Sequence, residues 1–276
     1  MAENTVLYEP TDEGITTITI DRPSVRNAVN HATSLQLAEA FQSFENDSTQ
    51  KVCILTGAGT NFCAGYDLHE VAGSSSAGSS SAGSSALAVG PVDKLNGALG
   101  PMGPSRMRLS KPVIAAVSGH AVAGGLELAL LADLRVVDAT AVFGVFCRRF
   151  GVPLIDGGTV RLPRVVGLGR ALDMILTGRP VDAQEALAIG LANRLVEDAV
   201  DGARELARGL LRFPQRCMRA DLAAAQYGAY DAASLEEALR FEFENGAKVV
   251  AEESVAGARR FDKGAGRGGA FEKGKL

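Results

Sequence analysis

One acidic side chain interrupts the run Gly124-Gly125-Leu126-Glu127-Leu128-Ala129-Leu130-Leu131. Glu127 lies one turn into the helix that this run predicts. A carboxylate in such company is either buried at considerable cost or aimed into a cavity where it does chemistry. The plainer alternative is a surface acid that complements the helix dipole. The paired glycines favour chemistry. They let backbone approach a ligand, and the unpaired N–H groups of a helix start can stabilise a developing oxyanion. A second turn of this kind comes earlier: Phe62-Cys63-Ala64-Gly65-Tyr66-Asp67-Leu68, after the apolar run Lys51–Thr56. Two strand-ending turns, each offering a bare N–H, are what a thioester oxyanion hole requires.

Other chemistries fall away. The turn at Gly57-Ala58-Gly59-Thr60-Asn61-Phe62 has Phe62 where a dinucleotide fingerprint needs glycine, and no P-loop or G-x-S-x-G elbow occurs. Cys53, Cys63, Cys147 and Cys217 are scattered, and His69-Glu70 is not followed by a second histidine, so neither a disulfide framework nor a metal site is expected.

The elements that must position these turns are short apolar strands alternating with helical patterns. Strands are predicted at Ile15–Asp21, Lys51–Thr56, Val113–Val117, Leu134–Val137 and Val142–Phe143, and helices at Ala28–Glu45 and Leu126–Ala132. Asp182-Ala183-Gln184-Glu185 is a capping box that opens a helix ending at Gly190. From about Val200 onward the pattern is almost wholly helical, including Ser234–Ala247. Strand–helix alternation with an all-helical end predicts an α/β protein with a helical C-terminal appendage. Residues 73–90 are a Gly/Ser/Ala tract and, with the Pro- and Gly-rich run to Pro104, predict one long mobile segment.

The 276 residues, 46% hydrophobic with a formal net charge of −4, exclude a disordered chain and make a poor nucleic-acid binder. No window reaches the roughly 20 apolar residues of a membrane span. Residues Val113–Leu131 come nearest and are broken by Gly119, His120, Gly124, Gly125 and Glu127. With no secretory signal at the N-terminus, a soluble cytoplasmic protein is expected.

The segment Ile114–Leu134, IAAVSGHAVAGGLELALLADL, resembles the signature of the enoyl-CoA hydratase/isomerase (crotonase) family without a gap. Arg22-Pro23 followed by Arg26-Asn27-Ala28, the run FCAGYDL, Phe143-Gly144, Gly157-Gly158-Thr159 and Leu176-Thr177-Gly178-Arg179 follow that family's landmarks in order. The resemblance implies a crotonase-like spiral of repeated ββα units over residues 1–195, a helical trimerisation segment over 196–262 and a flexible tail over 263–276. It implies an acyl-CoA substrate, no cofactor beyond the substrate's own CoA, a homotrimer or a hexamer of two trimers, and no nucleic-acid or membrane partner.

By position, the resemblance assigns the backbone N–H groups of Ala64 and Gly124 to the oxyanion hole. It assigns Arg26, Ala28, Ala64, Gly65, Tyr66, Asp67, Leu68 and Gly124 to substrate and CoA binding. Asp67 also reads as a turn residue bonded to its own backbone. Glu127 matches the first catalytic glutamate of true hydratases. The second normally follows Phe-Gly by three residues, and here Cys147 stands at that place. Cys147 is either a reactive thiol with its pKa lowered by Arg148 and Arg149 or a small residue filling a pocket wall. The two arginines bind an acidic acyl group or form ion pairs at a subunit contact. Asp156 is either the partner carboxylate of Glu127 or a helix N-cap. Three functions are compatible with this pattern: hydration of a 2-enoyl-CoA, double-bond isomerisation through the same enolate, and acyl-CoA binding without catalysis.

Overall fold

A computed structural model describes residues 4–73 and 99–266 of the chain. Of the mobile segment expected from the 73–90 tract onward, residues 74–98 lie outside the described residues, as does the end of the flexible tail, 267–276. The chain divides into two compact units whose boundaries fall at Leu109/Ser110, Pro112/Val113 and Ala207/Arg208.

The first unit is built on two sheets. The larger takes β1 (Val6–Pro10), β2 (Ile15–Ile20), β3 (Val52–Gly57), β4 (Val113–Val117), β6 (Leu134–Val137) and β9 (Arg194–Leu195), in that spatial order. The β1–β2 pair is antiparallel and every other neighbour pair in this sheet is parallel. The smaller takes β5 (His120–Val122), β7 (Val142–Gly144) and β8 (Val181–Asp182). Two turns of the spiral each give one strand to each sheet and then a helix: β4, β5 and α3 (Gly124–Leu131), then β6, β7 and the pair α4 (Gly158–Val166) and α5 (Leu168–Thr177). This is the crotonase-like architecture that the resemblance implied.

The ladders explain the predicted runs. VIAAV of β4 is buried along its whole length between β3 and β6, so its apolar residues are continuous rather than alternating. Phe41, Phe44, Phe62 and Phe143 are the bulkiest fully buried side chains of this core. Helix α1 runs from His31 to Asn46 and begins later than the periodicity predicts. Arg26 and Asn27 take φ values of 52° and 56°, and Val29 bridges Tyr66, so the chain cannot turn helical before Asn30. The Asn30 side chain then caps α1 by accepting from Thr33 N. Half of the predicted capping box is present: Asp182 Oδ1 accepts from Glu185 N at 2.8 Å at the start of α6 (Ala183–Ala188), while the Glu185 carboxylate pairs with Arg179.

One sequence expectation is corrected here. Residues 100–104, in the described end of the run expected to be mobile, are packed into the fold. Gly100 to Ser105 are all buried, with Gly100 and Gly103 exchanging backbone hydrogen bonds of 3.0 and 2.8 Å and Pro104–Arg106 forming a single 3-10 turn. Proline and glycine mark a tight buried turn in this segment rather than a linker.

The second unit is helical. Its α8 (Gln215–Tyr230) and α9 (Leu235–Val249) pack on each other, with Tyr227 stacked on Phe241 at a ring separation of 4.1 Å. Leu235, Leu239 and Phe243 form an exposed row at helical spacing along α9. No helix among the described residues is long and apolar enough to cross a membrane.

Candidate active site

The two glycine-containing turns come together in the first unit. Cys63 and Ala121 form an isolated parallel bridge, with Cys63 N donating to His120 O at 2.8 Å and Val122 N donating to Cys63 O at 3.1 Å. Gly65, at φ +99°, packs so closely on the second turn that a β-carbon would lie 3.0 Å from the Gly124 nitrogen. Only glycine meets both the backbone angle and the contact.

Ala123 caps α3 with φ 54° and ψ −124°, a sparsely populated conformation that costs about 1–3 kcal/mol. Its N–H donates to Gly144 O at 2.9 Å, which pins the strained peptide. The next N–H, that of Gly124, has no hydrogen-bond partner among the described residues and lies on the wall of a cleft. The Ala64 N–H differs. It donates to the Arg26 carbonyl at 3.0 Å, because the left-handed Arg26–Asn27 corner folds that oxygen back onto the first turn. The bare N–H expected on both turns is therefore found on Gly124, and on Ala64 it is taken up within the protein.

The cleft is open on one side; Ala64, Tyr66, Leu68, Gly124, Glu127, Cys147 and Asp156 all line it. Phe146, Phe150, Val152 and Ile155 supply much of the remaining apolar wall. Arg26, Ala28, Gly65 and Asp67 stand behind this wall or outside it. Arg26 is exposed, and Asp67 is braced from within, its Oδ2 paired with Arg22 at 3.1 Å and its Oδ1 accepting from His69 N at 3.2 Å. The turn-residue reading of Asp67 describes these contacts.

Glu127 is 2% exposed, so it is no surface acid complementing a dipole. Its Oε1 accepts from Asp156 N at 2.9 Å and Gly158 N at 2.8 Å. Burial pushes its pKa up to about 7, helped by the neighbouring Asp156 carboxylate and opposed by the two N–H donors and Arg161. Asp156, 3% exposed, is not an N-cap: α4 is capped by Gly157 without a side-chain bond. The Asp156 carboxylate turns instead to Met102 N, at 3.0 Å, and to the Ser105 hydroxyl. Burial raises its pKa, countered by Ser105, Met102, Arg106 and Arg161.

The reactive-thiol reading of Cys147 is corrected. Burial and the nearby Glu127 raise its pKa, and the opposing effect of Arg148 is smaller, so the thiol stays protonated as a small neutral part of the wall. Neither arginine reaches the cleft. Arg148 Nε donates to Ile175 O at 3.1 Å, and the Arg149 guanidinium lies over the Phe146 ring at 4.6 Å.

Sequence reading missed the partners of Asp156. Met102 sits in the segment read as mobile and Ser105 directly after it, and a lone serine between proline and arginine carries no motif. Arg161, which donates to Asp156 O at 3.1 Å and Ser105 O at 2.8 Å, reads as an ordinary helix cation.

A sequence profile of the enoyl-CoA hydratase/isomerase family matches residues 10–265. A carnitinyl-CoA dehydratase of Salmonella arizonae is 39% identical over 198 residues, spanning 71% of this chain and 70% of that protein. Its counterpart in Proteus mirabilis is 38% identical over 205 residues, 73% and 72% of the two chains. Among solved structures, an enoyl-CoA hydratase from Mycobacterium tuberculosis superposes with a TM-score of 0.82 at 32% identity, covering 95% of this chain and 96% of the other. One from Mycobacterium marinum gives the same values.

Proposed function

The chain belongs to the enoyl-CoA hydratase/isomerase family, and on that footing we propose that it adds water to, or removes water from, an acyl-CoA with Glu127 and Asp156 as the acid/base couple. As a family member with relatives named as dehydratases and hydratases, it is an acyl-CoA enzyme of the hydro-lyase type. One observation carries the residue assignment. Two buried carboxylates line one cleft beside the Gly124 N–H, which has no partner among the described residues, and the Asp156 backbone N–H donates to Glu127 Oε1 at 2.9 Å.

In the direction of hydration, Asp156 takes a proton from water as its oxygen attacks the β-carbon. The electron pair moves to the thioester oxygen, where Gly124 N–H meets the developing charge. Glu127, with its pKa near 7, delivers a proton to the α-carbon. A preorganised donor such as Gly124 N–H is worth a few kcal/mol of barrier. Dehydration runs the same steps in reverse. The couple needs no cofactor beyond the CoA already on the substrate.

A second reading has an observation of its own. Cys147, a neutral thiol, stands where the family's second glutamate is expected, and a single carboxylate suffices to shuttle a proton in double-bond isomerisation. Following the ultraviolet absorbance of the conjugated enoyl thioester separates the two. Loss of absorbance from a 2-enoyl-CoA, at about 1–10³ s⁻¹, supports hydration. Turnover confined to 3-enoyl-CoAs supports isomerisation. Tight binding with no turnover of either contradicts both. Carnitinyl-CoA, the compound in the relatives' name, belongs in the same panel.

The exposed Leu235–Leu239–Phe243 row supports assembly through the helical unit as a homotrimer or a hexamer. Light scattering should return three or six times the 28.7 kDa chain mass. The unpaired cysteines agree with a reducing, cytoplasmic setting.

A further inference from the structure

Two carboxylates side by side in one buried cleft do not by themselves settle which gives and which takes the proton. Building on the acid/base assignment above, we propose that Ser105 is a positioning residue that fixes Asp156 as the proton acceptor and leaves Glu127 as the donor.

The case rests on how Asp156 is held. Ser105 is fully buried on the Pro104–Arg106 turn, and its hydroxyl donates to Asp156 Oδ1. Met102 N donates to the same oxygen at 3.0 Å. Gly100 closes another side so tightly that a β-carbon there would lie 2.0 Å from Ser105 Oγ and 2.3 Å from Asp156 Oδ1. Arg161 straps the two segments together through the backbone oxygens of Asp156 and Ser105. Both donors fall on Oδ1, so Oδ2 has no donor among the described residues and is the oxygen left to meet a water in the cleft.

Glu127 is held differently. It receives two backbone N–H groups on Oε1 and no side-chain donor among the described residues. The charged groups facing Asp156 are Glu127 from α3, Arg161 from α4 and Arg106 from the Pro104–Arg106 turn, and the Tyr66 phenol faces it from the first turn. Arg161 acts on both carboxylates. The Ser105 hydroxyl acts on Asp156 alone, and a hydroxyl donated to a carboxylate favours its charged form.

The test is the pH dependence of kcat/KM on an accepted 2-enoyl-CoA for the wild type, Ser105→Ala and Ser105→Cys. Asp156 must be ionised to accept a proton, and loss of the hydroxyl makes ionisation harder, so the acid limb moves to higher pH. In Ser105→Ala the expected shift is about one pH unit, giving roughly a tenfold loss below the limb and plateau values within about threefold of wild type. Cysteine is a weaker donor of similar volume and should shift the limb the same way by less. It carries the comparison if the alanine variant does not fold. A uniform fall in rate with an unmoved limb in both variants overturns the role of Ser105. The acid/base assignment is tested separately by Asp156→Asn. If that variant keeps full turnover, the assignment itself fails; if it is inactive while the Ser105 limb stays fixed, only the role of Ser105 fails.

Discussion

The two turns that meet at the cleft are assembled from similar parts, a strand end, a glycine corner and a helix start, yet their polar groups are in opposite states. On the first turn every group described above is satisfied within the protein. Ala64 N–H is bonded to Arg26 O, Asp67 is paired with Arg22, and the Tyr66 hydroxyl donates to Glu70 at 2.9 Å. On the second turn Ala123 is strained, Gly124 N–H has no partner among the described residues, and Glu127 is a buried carboxylate with a raised pKa. Buried polar groups are normally hydrogen-bonded, so an N–H left without a partner beside a strained residue and a buried acid marks where a ligand completes the structure. The first turn is a scaffold; the second holds its polar groups in reserve.

The largest effect expected from this contrast is on catalysis. Glu127→Gln keeps the shape and both backbone bonds but cannot deliver a proton, so kcat/KM should fall about 10²–10⁴-fold in a protein that still folds. Retention of more than about a tenth of the activity would break the contrast.

The same residue should show in stability. The pKa of Glu127 is raised in the folded state, so the folded chain holds this proton more tightly than the unfolded chain does. Its contribution is fully present below the unfolded carboxylate range and is lost as pH rises through about 7. Denaturant unfolding of wild type and Glu127→Gln at pH 5 and pH 8.5 should show the wild type losing on the order of 2 kcal/mol relative to the variant at the higher pH. An unchanged difference would mean that the carboxylate is solvated or paired when charged.

A smaller effect is expected on the first turn. Asp67→Asn removes one charge of a mostly buried ion pair and should destabilise the fold by about 1–2 kcal/mol, as denaturant midpoints would report. Because it touches only scaffold, kcat should stay within about threefold. A hundredfold loss of kcat would place the first turn in the chemistry and erase the distinction.

The contrast also separates what is legible in sequence from what is not. Strands marked by continuous apolar runs are legible: β4 and β6 have the predicted limits, because ladders with neighbours on both sides demand such runs. Glu127 stands out because a lone acid in an apolar helix needs a reason. The Arg26 carbonyl on Ala64 is invisible in sequence, since it follows from two left-handed non-glycine residues that no residue type demands. Ser105 is hidden for another reason. Proline and glycine around it signal a turn, and composition alone does not say whether that turn lies in solvent or against a buried aspartate.

The central claim is that Asp156, and not the residue at the family's second glutamate position, completes the couple with Glu127. Steady-state rates of Asp156→Asn and Cys147→Ala on one accepted 2-enoyl-CoA, measured side by side, test it directly. The account predicts a loss of about 10²-fold or more for Asp156→Asn and a change within about threefold for Cys147→Ala. Full activity in Asp156→Asn, with collapse in Cys147→Ala, would contradict it.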